Sequence, residues 1–103
     1  MGKTLTFAAE KQTYTLADRG TFLKYKLGRS MGLDLEIFCE GDPKLANPYG
    51  IIPLNPEKFP HVKYNLAMTF IDWLTSEKGQ KLIANYKIYG NQLFYPDAVE
   101  IAQ

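Results

Sequence analysis

Residues 40–56 hold four of the six prolines and two of the eight glycines of this 103-residue chain. No continuous helix can pass through them. Each proline lacks an amide donor and biases the residue before it away from helical geometry. Asn47-Pro48 and Asn55-Pro56 read as turn starts. Between them stand Ile51 and Ile52, β-branched and apolar, which predict a short buried strand. The pattern before this stretch differs from the pattern after it. Residues 40–56 are therefore read as a crossing segment between two bodies, 1–39 and 57–103.

The chain is long enough for one small domain or a piece of a larger one. Its charged share of 22% and hydrophobic share of 46% are those of a soluble globular chain. A net charge of +1 gives no long-range field toward nucleic acid or acidic membrane. Seven Tyr and six Phe are many for this length, and tyrosine suits surfaces that are apolar on one side and wet on the other. Cys39 is the single cysteine, so neither an internal disulfide nor a cysteine-based metal site is expected. No apolar run approaches the ~20 residues of a membrane span. Met1-Gly2-Lys3-Thr4 has no secretory leader pattern.

Taken in order, Leu5, Ala8 and Ala9 predict a short helix over 2–12, with a strand from Leu5 to Phe7 as the alternative. Thr15-Leu16-Ala17-Asp18 predicts a second, with Thr15 as cap and Asp18 in the first turn. Leu16, Gly20, Leu23 and Leu27 mark its apolar face, and Gly28 its left-handed end. Gly20 inside it predicts close packing against another element. Leu33, Leu35 and Ile37 alternate with Asp34, Glu36 and Phe38, a strand pattern. Tyr64 to Leu74 predicts the strongest helix, with Leu66, Ala67, Phe70, Ile71, Trp73 and Leu74 as a broad apolar face. Ser76 and Glu77 open another helix that runs to about Lys87. Residues 88–95 read as a turn and an apolar extended piece, and 97–103 as a weakly structured tail. This α/β order has too few strands for a stable sheet of its own.

Three places carry possible chemistry. His61, the single histidine, reads as a surface loop residue. A Cys39–His61 nucleophile pair lacks any nucleophile motif around Cys39. The third is the segment from Tyr14 to Thr21. A helix start presents unpaired amides and a positive dipole end, and so attracts anions. Thr15 adds a hydroxyl, Tyr14 a phenol and Arg19 a charge, unless Arg19 pairs with Asp18 or a neighbouring element. The plain alternative is a well-capped helix and nothing more.

Tyr14-Thr15-Leu16-Ala17-Asp18-Arg19-Gly20-Thr21-Phe22, Glu40-Gly41-Asp42-Pro43, and Asn47-Pro48-Tyr49-Gly50-Ile51-Ile52 with Asn55-Pro56 resemble the tungstate-binding proteins of bacterial ABC transporters. Phe70-Ile71-Asp72-Trp73-Leu74-Thr75-Ser76-Glu77-Lys78-Gly79-Gln80-Lys81-Leu82-Ile83 and Gln92-Leu93-Phe94-Tyr95-Pro96-Asp97-Ala98 continue the resemblance in order. It implies an α/β, partial periplasmic-binding-protein fold (Venus-flytrap, type II-like), with an incomplete sheet and a C-terminal helix pair. Residues 1–39 would end the second lobe. Residues 40–56 would cross between lobes and add a strand, and 57–103 would form the C-terminal part of the first lobe. Proteins of that family are more than twice this long, and their Thr/Ser-rich and Arg-containing anion loops have no counterpart here.

The resemblance further implies an exported solute-binding protein, in fragment, that holds tungstate or molybdate and delivers it to a membrane permease without catalysis or a cofactor. Its partners would be the oxyanion, the permease and either the missing N-terminal part or another copy of the chain. Tyr14, Thr15, Asp18, Arg19 and Thr21 are the candidate ligand-binding residues. Thr15 and the amides behind it are the direct donors, and Asp18 caps or orients. The alternative is a chain that binds no anion and oligomerises through Tyr64, Trp73, Tyr86, Phe94 and Tyr95. A Cys39-dependent enzyme is a third reading.

Overall fold

The computed structural model describes residues 1–28 and 32–98. The elements are α1 (Gly2–Lys11), α2 (Arg19–Gly28), a single 3-10 turn (Pro43–Leu45), α3 (Tyr64–Thr75), α4 (Glu77–Asn85) and two short strands, β1 (Lys87–Ile88) and β2 (Asn91–Gln92). They fall into two compact units. The first comprises Met1–Leu45 and Tyr86–Leu93; the second comprises Ala46–Asn85 and the chain from Phe94 onward.

The first unit packs α1 on α2. Leu5 and Ala8, one turn apart on α1, are each 2% exposed, and Leu23 of α2 and Leu33 join them in the core. α1 ends on Gln12 in the left-handed region, with the Thr13 amide closing back on the Ala8 carbonyl at 3.0 Å. β1 and β2 form an antiparallel hairpin that pairs Lys87 with Gln92 and Ile88 with Asn91. Tyr89 and Gly90 at its tip both have positive φ, 51° and 77°, the geometry of a type I′ turn.

Three expectations for α2 are corrected. α2 begins at Arg19, not at Thr15, so Leu16 lies outside the helix and is 71% exposed. Leu27 is also exposed, which leaves Leu23 as the α2 residue in the core. Gly28 does not take the left-handed form. It is the last helical residue, and a Cβ there would stand 2.6 Å from the Tyr89 hydroxyl. Its smallness admits the hairpin tip. Close packing does not explain Gly20: a Cβ there would meet Asp18 Oδ1 at 3.5 Å and Leu93 Cδ1 at 3.6 Å, ordinary contact distances.

The strand expected at 33–38 is absent. The alternation holds only at its start, where Leu33 is buried and Asp34 exposed; Ile37 and Phe38 are both exposed, and the backbone groups are engaged otherwise. The Lys26 ammonium donates to the carbonyls of Leu33 (3.0 Å) and Leu35 (2.9 Å) and to Glu36 Oε1 (2.6 Å). The Leu35 amide turns back onto the Leu33 carbonyl at 2.9 Å. Carbonyls of residues two apart point to the same edge of a strand, so one lysine occupies the edge that a neighbour would need.

The second unit is a helix hairpin with irregular chain around it. Ile51 and Ile52 form no strand; Ile52 is 88% exposed. A strand needs a neighbour, and the described residues offer none. The turn read from Asn55-Pro56 is present, whereas Asn47-Pro48 starts no turn, and Asp42-Pro43 in the first unit opens the 3-10 turn instead. Asn55 Oδ1 accepts from the Glu57 amide at 2.9 Å, and Asp42 Oδ1 from the Lys44 amide at 2.7 Å. α3 and α4 begin as expected. α4 stops at Asn85, and Lys87 opens the hairpin instead. Ser76 Oγ accepts from the Gly79 amide at 3.2 Å, an N-cap bond, and donates to the Trp73 carbonyl at 2.6 Å. Gly79 is buried because the corner is tight: a Cβ there would fall 2.3 Å from the Trp73 carbonyl oxygen. Gln80 joins the corner to the later chain, donating to the Leu74 carbonyl (2.9 Å) and accepting from the Ala98 amide (3.1 Å). Of the tail expected over 97–103, residues 97 and 98 are irregular and the rest lie outside the described residues.

Candidate functional site: the start of α2

The segment before α2 has no regular structure from Thr13 to Asp18. Asp18 then starts the helix. Its Oδ1 accepts from the Thr21 amide at 2.8 Å and its Oδ2 from the Thr21 hydroxyl at 2.9 Å. Its carbonyl takes the first helical bond, from the Phe22 amide at 3.1 Å. These are the marks of an N-cap. The Thr21 amide and then its hydroxyl hold the Asp18 carboxyl below its ordinary pKa, while partial burial pushes the other way. At neutral pH the helix start carries its own anion.

Arg19, the first helical residue, donates from its guanidinium to a Glu40 carboxylate oxygen. Sequence reasoning left Arg19 open to pairing with a neighbouring element; Glu40 is that partner. The acid lies 21 positions away, so no local spacing rule could name it. Asp18, Arg19 and Glu40 together sum to one negative charge.

Tyr14 and Thr15 are placed differently. The Tyr14 ring is 86% exposed and rests at a tilt on Phe38, centroids 5.9 Å apart. The Thr15 hydroxyl donates to the adjacent Leu16 carbonyl at 3.4 Å and does not cap the helix. The structure thus binds Asp18 to Thr21 and Arg19 to Glu40. It leaves Tyr14 and Thr15 on the exposed approach to the helix.

An anion at this place would meet the Arg19 and Gly20 amides, which have no intrahelical partner, and a guanidinium already paired. It would also meet the Asp18 carboxylate. Stripping water from a dianion is costly unless many donors converge on it. These residues alone supply too few donors to offset that cost. Cys39 is exposed, and His61 stands edge-on to Phe59 at 6.4 Å in the second unit. No group of three metal-ligating side chains occurs among the described residues, and no helix described is long and apolar enough to cross a membrane.

Comparison with known proteins gives this arrangement its class. Residues 1–78 match the PBP superfamily domain, and the chain belongs to that family. A Haloferax volcanii relative described as an ABC transporter anion-binding protein is 48% identical over 96% of this chain and 29% of its own length. The tungstate-binding protein TupA of Peptoclostridium acidaminophilum is 44% identical over 97% of this chain and 34% of its own. TupA of Campylobacter jejuni is 39% identical over 91% and 35%. The solved tungstate-binding protein TupA of Desulfovibrio alaskensis superposes with a TM-score of 0.85 at 43% identity, covering 96% of this chain and 40% of that one. The chain therefore spans about a third of the length of the curated relatives it matches. The fold is a partial periplasmic-binding-protein fold with an incomplete sheet. The relatives carry the names of binding proteins, not of enzymes.

Proposed function

We propose that this chain is part of an extracytoplasmic solute-binding protein that captures tungstate, or a tetrahedral oxyanion like it, for an ABC transporter permease. One observation carries the reading. Relatives and a solved structure named for tungstate match the chain over nine-tenths or more of its length, at 39–44% identity. The α2 start contributes its Arg19 and Gly20 amides and the hydroxyls of Thr15 and Tyr14. Asp18 caps the helix and, through Thr21, fixes where those amides point. Arg19 reaches an anion only by sharing or leaving Glu40. The remaining donors belong to the part of the full-length protein that this chain does not match. Binding therefore needs both parts.

Calorimetric titration tests the proposal. This chain alone, titrated with tungstate and with sulfate as control, gives no selective heat. The same chain joined to the unmatched part of the D. alaskensis protein binds tungstate, and Arg19→Ala weakens that binding at least about tenfold, the loss of one charge-assisted contact. Failure of the joined protein to bind any oxyanion overturns the proposal.

A further inference from the structure

The chain already seats an anion of its own on Arg19. The Glu40 carboxylate meets a terminal nitrogen of the Arg19 guanidinium, and Phe38, two residues earlier, lays its ring against Tyr14 with centroids 5.9 Å apart. Residues 38–40 thus touch the approach to α2 at two points, all within the first unit. In every other respect Glu40 is loosely held. Its side chain is 58% exposed, and its carboxylate has no hydrogen-bond partner besides Arg19 among the described residues. Gly41 follows at φ 78°, with nothing within 4 Å of where a Cβ would stand. Asp18 differs, because its two oxygens are spent on the Thr21 amide and hydroxyl. A carboxylate that orients a binding arginine needs further bonds to fix it. Glu40 has none, and an exposed ion pair shifts an equilibrium by no more than about fivefold. Its surroundings suit a group that leaves, not one that holds.

We propose that Glu40 is a tethered competitor, which occupies Arg19 until an oxyanion takes its place. The inference rests on the reading of the α2 start as part of an oxyanion site and adds the regulation of that site. With Glu40 on Arg19, an anion meets a guanidinium already satisfied and, from Asp18, Arg19 and Glu40 together, one net negative charge. When the anion draws Arg19 away, the Glu40 carboxylate turns to water, at little cost for a group so exposed. A free carboxylate of the same chemistry gains Arg19 only above the effective concentration of the tethered one, about millimolar for a short flexible link. An oxyanion that other donors also hold is not bound by that limit. Glu40 thus keeps stray monoanions off Arg19 and sets the threshold that a ligand must pass.

NMR of the Arg19 side-chain Nε–H group tests this on the chain alone, with sulfate and then tungstate added. The chain has two arginines, and Arg19→Lys identifies the signal. Expected is a shift of that signal whose midpoint falls at an anion concentration about two- to fivefold lower in Glu40→Gln than in the unaltered chain. Added salt narrows the difference. Glu10→Gln, an equal change of net charge at an exposed position of α1, leaves the midpoint where it was. Circular dichroism is the same in both glutamine variants. A higher midpoint in Glu40→Gln would mean that Glu40 orients Arg19 for the anion, and it overturns the proposal. So do equal midpoints, and so does an Arg19 signal that no anion moves in either chain. The joined protein separates this result from the tungstate reading. If it binds no oxyanion while Glu40→Gln still lowers the midpoint in the chain alone, Glu40 stands as the competitor for Arg19 and the tungstate reading falls.

Discussion

The two units use the same kind of helix pair to different ends. In the first, α1 and α2 are modestly apolar, but Leu5, Ala8, Leu23 and Leu33 close into a core. In the second, α3 is far richer in apolar residues, and its buried residues are none. The buried residue of that hairpin is Gly79, which matters for the corner and not for hydrophobic contact. Burial, not composition, decides what an apolar side chain contributes. The first unit has its stabilising contacts among the described residues, whereas the second leaves much of its apolar surface exposed.

The contrast is sharpest for large-to-small changes. Leu5→Ala leaves a cavity in the first unit and costs about 2–5 kcal/mol in urea unfolding. Leu66→Ala in the second costs under ~0.5 kcal/mol, because water already surrounds it. Equal losses would mean that the second unit has a core after all. The next effect belongs to Gly79→Ala. Its new methyl meets backbone carbonyls that cannot turn aside, and overpacking of this kind costs about 1–3 kcal/mol. Here Trp73 fluorescence during unfolding is the measurement, and a neutral result would show that the Ser76 corner opens freely.

Smaller again is the Asp18 cap. Asp18→Ala loses about 1 kcal/mol of helix stability, and it changes the pH dependence. The folded-state pKa is depressed, so the contribution is complete above the ordinary aspartate value of 3.8 and disappears as pH falls through the lower folded value. Acid titration of stability followed by circular dichroism should therefore be shallower in the variant. An unchanged acid limb would mean that the Thr21 contacts do not hold in solution.

Periodicity made α1, α3 and α4 legible, because each buries or offers one continuous stripe. α2 was harder. Two overlapping cap signals, Thr15 and Asp18, sit three residues apart, and Asp18 prevails because Thr21 supplies both an amide and a hydroxyl to one carboxylate. The strand pattern at 33–38 is not realised, because pairing needs a partner and Lys26 takes its carbonyls instead. The candidate site was legible as a place, from Tyr14 to Thr21. Its electrostatics were not, since the Arg19–Glu40 pair depends on how the chain returns. That the second unit would be so exposed was foreshadowed by the shortage of strands and by aromatics such as Trp73, Phe94 and Tyr95 that read as an interface.

Native-state hydrogen exchange of the chain alone tests the central contrast most directly. Amides near Leu23 in α2 should be protected at least about tenfold more than those near Phe70 in α3, since local opening is easiest where few apolar contacts must be broken. Equal protection of the two helices, or greater protection of α3, would contradict the claim that the first unit closes a core among the described residues and the second does not.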